Sequence, residues 1–273
     1  MDNRAKLVED VVQMGKDVDE FIQLGEIELV EERVVTVSEI EAKLKQASTL
    51  AEVYRNHESI FGMPEQDLPQ LDRLVKTFEP YCNLWKICGD FTNHLPEWTD
   101  GPFTELDPES LTNSIENWIR ALAKVQKVLS ERAAEACKIL NERLNKFQEY
   151  LPLIAALRNP GLRERHWKRM SKDLGFPVKV DVSFSLSRAL QLQLLEHMEV
   201  IEEISEYASK EYSLEKTLDK MQHEWSGVSF DRMDWRDTGT TILQGIDDIQ
   251  AILDDQVVKT QAMRASPYIG AFE

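Results

Sequence analysis

Glycine and proline are scarce in this 273-residue chain, at 11 and 10. Folds built from many short strands need a turn every few residues, so this shortage argues against a sandwich or barrel and leaves long helices. Cysteine is nearly absent: Cys82, Cys88 and Cys137 are an odd number with no Cys-x-x-Cys spacing. Disulfide scaffolds and zinc ribbons are therefore disfavoured, and reduced thiols packed on helices are expected. Cations are in deficit, 32 Lys and Arg against 49 Asp and Glu, a net charge of −17. Such a chain repels phosphate backbones and anionic lipid surfaces, so neither nucleic acid nor membrane is expected as a partner. No apolar run approaches the ~20 residues of a membrane helix. The first residues open an amphipathic pattern without an apolar signal core, so a cytoplasmic protein is expected.

What is present is enough apolar side chain, 42%, to build a packed core, arranged at helical spacing. Leu7, Val11, Met14, Val18 and Phe21 share one face of a first helix, expected over 4–24. Residues 26–36, acidic and β-branched, read as a connection or a frayed helical extension. Ser38 with Glu41 reads as a capping box opening a second helix, which ends near Gly62 and Pro64. A third helix is expected over 68–92 with a kink at Pro80, followed by a loop over 93–107 anchored by Trp98 and Phe103. Asp107-Pro108 is a helix start, and an apolar stripe then runs without Gly or Pro from Leu111 to Leu151. One helix of that span would be roughly 60 Å long, which suggests a rod. Asn159-Pro160 starts a short helix over 161–174, and Phe184-Ser185 a long one reaching Trp225. Only 227–239 looks like strands, with Asp231 to Asp234 as the turn. In a last helix over 241–263, Ile242, Ile246, Ile249, Leu253 and Val257 should face inward.

The expected fold is all-α: elongated consecutive helical bundles with long antiparallel helices, and one short β-hairpin near 227–239. The expected divisions are 1–106, 107–183 and 184–273. Hinges belong where stripes stop, at 93–107, 159–161, 175–183 and 227–239.

Motifs for chemistry are missing. There is no GxxxxGK[ST], GxGxxG, GxSxG or HExxH, and no catalytic, cofactor-binding or metal residues are assigned. His57, His94, His166, His197 and His223 are scattered, as structural histidines usually are. The pairs Asp247-Asp248 and Asp254-Asp255 could form a carboxylate stripe for a divalent cation. A solvated helix face is the more economical reading, because calcium loops need a turn between their ligands.

One segment stands out. Arg158, Arg163, Arg165, Lys168, Arg169 and Lys172 form a basic island around His166 and Trp167 in an otherwise acidic chain. It reads either as an internal ion-pair hub between helical layers or as an external dock for an acidic partner. Trp167 is the expected core anchor, with a guanidinium stacked on it.

The run Leu151-Pro152-Leu153-Ile154 through Arg165-His166-Trp167 resembles the tail–linker junction of dynein heavy chains. The likeness continues in order through Phe184-Ser185-Leu186, Ile204 to Glu211, Leu214 to Leu218, Trp225, Ile242-Leu243, Asp247-Asp248-Ile249, Leu253-Asp254-Asp255 and Met263 to Tyr268. Upstream, Trp85, Trp98, Gly101-Pro102-Phe103 and Leu106 are similar to the preceding tail, in the axonemal style. The resemblance covers roughly residues 40–273 and implies a late tail plus the first part of the linker. In that family the linker is a helical lever arching over a ring of AAA+ modules, so the implied role is mechanical and the implied partner is that ring of the same heavy chain. ATP and Mg would bind elsewhere in the full-length motor, which contacts microtubules through other parts. Intermediate or light chains would bind through the N-terminal helices between Leu7 and Tyr54. The implied setting is the cytoskeleton, in particular the axoneme of a cilium or flagellum. Two other classes compete on periodicity alone: a spectrin-like tethering scaffold, and a helical enzyme or ligand-binding bundle. The first should repeat about every hundred residues, and the second needs convergent polar groups in a core. The chain shows neither.

Overall fold

Apolar stripes bury themselves wherever a second stripe is within reach, and in the computed structural model of this chain they do so in two compact units. The structure describes residues 2–64, 67–181 and 183–272, with the side chains from residue 4 onward. One unit comprises Met1–Pro152 with Val182–Ala189, the other Leu153–Asp181 with Leu190–Glu273.

The first unit is a helical bundle of α1 (Asp2–Phe21), α2 (Val30–Ile60), α3 (Pro69–Asp100), α4 (Pro108–Val125) and α5 (Glu131–Gln148). Helix α3 is its hub and packs on the other four. That role explains why α3 is apolar on several sides: Phe78, Tyr81, Leu84, Trp85, Cys88 and Phe91 are all buried. Phe21 meets Phe78 edge to face at 5.8 Å. Phe103 is fully buried; its backbone N–H donates to Phe184 O at 2.8 Å and its ring meets that of Phe184 at 5.4 Å.

Several boundaries differ from the sequence reading. Helix α2 begins at Val30 after a short turn at Ile27–Leu29, so residues 30–36 are helical and Ser38 is not a cap. The Ser38 hydroxyl instead donates to Val34 O at 2.8 Å, the back-bonding a helix-interior serine adopts, and Glu41 pairs with Lys86. Helix α3 runs on to Asp100 through Pro80 and Pro96, which removes the expected loop over 93–100. Packing overrides the proline penalty there: Trp98, two residues beyond Pro96, is held by Phe91, Trp118 and Phe147.

The single helix expected from Asp107 to Leu151 is also two helices. Asp107 does cap α4, accepting from Glu109 N–H at 3.2 Å. The chain then turns at 126–130, and α5 packs back on α4. The stripe is continuous across the turn because both helices face the same core. The stop is made by Ser130, whose extended backbone precedes α5 while its N–H donates to Tyr81 Oη at 2.8 Å and its hydroxyl to Ile22 O.

The second unit contains α7 (Glu164–Leu174), α9 (Met198–Ser226), the strands β1 (Asp231–Asp234) and β2 (Thr241–Gln244), and α10 (Ile246–Arg264). Helix α6 (Leu151–Leu157) precedes α7, and α8 (Leu186–Gln191), most of it within the first unit, lies between α7 and α9 in the chain. The expected helix from Phe184 to Trp225 is broken at Gln193, a left-handed residue (φ 54°), and only α9 continues it. The hairpin forms, with Met233 opposite Ile242, but Asp231 to Asp234 are its first strand and Trp235 to Thr240 its turn. Gly245, left-handed at φ 66°, starts α10 instead of lying inside it. The residues expected to face inward do not: Ile242 is exposed on β2, and on α10 Ile246, Leu253 and Val257 are exposed and Ile249 half-buried, while Gln256 and Met263 are buried. Periodicity identifies an apolar face without supplying a partner to cover it. Val182, within the expected hinge 175–183, lies outside the described residues. Among the described residues, no helix is long and apolar enough to cross a membrane.

Candidate functional site

The basic island lies within the second unit, and its geometry starts from a turn. Beyond α6, Asn159 Oδ1 accepts from Gly161 N–H at 2.8 Å, closing an Asx turn in which Pro160 fixes the backbone. The Asn159 amide then reaches α9, donating to Ser205 O at 2.7 Å, Ser205 Oγ at 2.8 Å and Ser209 Oγ at 2.7 Å. The Ser205 hydroxyl donates to Ala156 O at 3.0 Å. Gly161 sits so close to α9 that a Cβ there would lie 2.4 Å from Ala208 O. Glycine is thus needed for contact, and Asn159-Pro160 is a turn, not the helix start that the sequence suggests.

Helix α7 begins at Glu164, with Arg163 at its N-cap position. Arg163 N–H donates to His166 Nδ1 at 3.0 Å, one half of a capping box made with an imidazole in place of a carboxylate. Because Nδ1 accepts, the proton of the neutral ring is on Nε2. Nε2 is buried 3.2 Å from Glu211 Oε2, close but outside hydrogen-bond alignment.

The α9 residues that meet α7 recur every four positions: Glu203, Tyr207, Glu211 and Glu215, one face of a helix. Arg169 Nη2 donates to Glu203 at 2.6 Å and its guanidinium lies 5.6 Å over the Tyr207 ring. Arg165 Nε donates to Glu211 Oε2 at 2.9 Å, and its Nη2 converges on the same oxygen. Arg163 Nη2 donates to Glu215 at 2.6 Å, its Nη1 to Pro160 O at 2.8 Å, and its guanidinium covers Tyr212 at 5.7 Å. Lys168 pairs with Glu164 in the exposed turn of its own helix, at 2.8 Å. Arg158 N–H closes the end of α6 on Ile154 O at 2.9 Å.

Trp167 is half-buried and, among the described residues, no guanidinium stacks on it; His166 and Met170 are the buried residues of α7, and Arg169 and Arg163 stack on Tyr207 and Tyr212 instead. The sequence reading missed Asn159 as a donor, Ser205, Ser209 and the three glutamates. The four-residue glutamate–tyrosine spacing was the available signal, but nothing local says which helix faces it. Among the described residues, no three His, Cys, Asp or Glu side chains gather as metal ligands would. Asp255 pairs with Lys259 at 2.5 Å on the α10 surface.

Burial holds the His166 pKa below its ordinary value near 6.5; Glu211 opposes this, and the Arg165 and Arg163 guanidiniums add to it. Protonation would also place a second donor against Arg163 N–H. The unfolded chain therefore takes the proton first. Stability contributed by the neutral ring is complete above about pH 6.5 and is lost as pH falls from there toward the folded pKa. Urea unfolding between about pH 7.5 and about pH 5 should show this decline in the native chain and a shallower one in His166→Gln. Parallel profiles would show that the ring titrates alike in both states.

A family model described as dynein heavy chain, N-terminal region 2, matches residues 71–273. Dynein axonemal heavy chain 1 of Mus musculus is 36% identical over 239 residues, covering 87% of this chain and 6% of the relative. Dynein axonemal heavy chain 3 of Homo sapiens is 36% identical over 251 residues, 90% of this chain and 6% of the relative. Dynein axonemal heavy chain 12 of Homo sapiens is 32% identical over 281 residues, 100% of this chain and 9% of the relative. The chain thus spans under a tenth of the length of each of these proteins.

Proposed function

The chain belongs to the dynein heavy-chain family, and from that premise we propose that it is a force-bearing segment joining the tail of an axonemal heavy chain to its motor ring. In this reading the chain performs no catalysis and holds no ATP or Mg; those belong to the AAA+ ring of the same heavy chain, which is its main partner. Intermediate or light chains would dock on the N-terminal helices between Leu7 and Tyr54, and microtubules would be contacted only through the rest of the motor. The setting is the axoneme of a cilium or flagellum, as the names of the relatives suggest.

The observation that carries the reading is the riveting of α7 along α9. Ion pairs at Glu203, Glu211 and Glu215, with the Asn159 and Gly161 contacts at Ser205 and Ala208, tie about three turns of α9 to one short helix. The basic island is thereby an internal hub that resists bending. A tethering scaffold needs no such joint, nor the ordered likeness over residues 71–273.

The test is a full-length heavy chain carrying Arg163→Glu and Arg169→Glu, with Arg165 retained to neutralise buried Glu211. Both altered pairs are partly exposed, so the fold should survive. ATP turnover should persist while microtubule gliding slows at least about twofold. Unchanged gliding per ATP in a folded motor would reject the role.

A further inference from the structure

Helix α3 continues through Pro96, and its last turns, with the start of α4, enclose a hollow of about 380 Å³. This lies within the range of sites that hold a ligand or a side chain. One wall is a column of three rings. His94 stacks on Trp98 at 5.4 Å and 22°, and Trp98 stacks on Trp118 at 6.0 Å and 26°. His94 Nδ1 lies 2.7 Å from Asp90 O, which holds that ring in place. The hollow is also lined by Glu97, Glu105 and Asp107. Asp107 uses one oxygen to cap α4, and Glu97 and Glu105 are exposed; among the described residues no ion pair to a Lys or Arg is made by any of the three. Aromatic faces carry negative potential, so the ring wall and the carboxylates favour the same charge.

We propose that this hollow is a socket for an arginine side chain presented by a partner protein. A guanidinium is planar, so it can lie flat against an end of this ring column while its in-plane N–H groups reach carboxylates at the edge. An ammonium lacks the flat face, and a neutral apolar side chain would leave the carboxylates desolvated without a partner. A metal ion would need converging oxygens, and no such set of ligands is present among the described residues. The inference does not depend on the lever reading of the second unit.

The experiment titrates the intact chain with three capped pentapeptides, differing only in a central arginine, citrulline or lysine, and follows the indole N–H signals of Trp98 and Trp118 by NMR. The arginine peptide should shift both signals saturably. Citrulline, isosteric but neutral, should bind at least about tenfold more weakly, and lysine more weakly than arginine. The exposed pair Glu97→Gln with Glu105→Gln should weaken the arginine peptide at least about tenfold without lowering the melting temperature. Equal binding of citrulline or lysine, an unchanged affinity in the Gln variant, or no shift at millimolar peptide would each overturn the proposal.

Discussion

Gly161→Ala should cost about 3 kcal/mol, near the upper end for inserting a methyl into a packed interior. The new carbon would lie 2.4 Å from Ala208 O and 2.9 Å from Tyr212 Cβ. The first of these is backbone in the middle of a helix and cannot rotate away. Either the turn backs off α9, breaking the donations of Asn159 to Ser205 and Ser209, or α9 bends locally. Gly175→Ala is the control. That residue ends α7 in a left-handed conformation, φ 79°, with open space around it, so the cost is backbone strain of about 1 kcal/mol. Urea unfolding measures both changes, and hydrogen exchange assigns the loss at Gly161 to α7 and α9. A Gly161 variant no worse than the Gly175 variant would mean that the close approach yields easily.

Removing the Arg165 guanidinium should be nearly as damaging, and more so than removing its partner. The Glu211 side chain is 5% exposed and that of Arg165 47%. Arg165→Leu leaves a carboxylate in the interior beside a neutral imidazole, a loss of about 3 kcal/mol, at the lower end for a broken buried pair because one side is open to water. Glu211→Leu leaves a cation that can turn outward into solvent, so it should cost less. The double variant should be no less stable than Arg165→Leu alone, because two apolar groups replace a desolvated pair. The Arg165 charge also pushes the His166 pKa down, so in Arg165→Leu that pKa should rise, which NMR titration reads directly. Equal losses in the two single variants would contradict the burial asymmetry.

Helical class and the hairpin were legible because they rest on local spacing. Of the stripe Leu7, Val11, Met14, Val18 and Phe21, all are buried as the periodicity suggests except Met14, which is half-buried. So was the basic island, since six cations near one tryptophan stand out in an acidic chain. Its partners were not. Arg163 and Glu215 are 52 residues apart, Arg169 and Glu203 34, and no local rule couples them. The misread boundaries share one cause, tertiary contacts overriding local signals. Ser38 and Glu41 satisfy the capping-box pattern, yet α2 had already started because Val30, Arg33 and Val37 are buried. Pro96 is tolerated because Trp98 is anchored beyond it. The turn at 126–130 carries no Gly or Pro, and its stop depends on Tyr81 and Ile22, far away in sequence. The exposed Ile246, Leu253 and Val257 give the complementary lesson: an apolar stripe is a capacity for burial, which a facing surface must realise.

Cys82, Cys88 and Cys137 all lie on α3 and α5, and burial pushes each thiol up to about 11. At neutral pH almost none of this sulfur is thiolate, so an alkylating reagent must wait for the helices to part. Its rate of capture becomes a stopwatch for the opening of the first unit. The second unit has no cysteine, so that clock should keep its rate when the joint between α7 and α9 is altered.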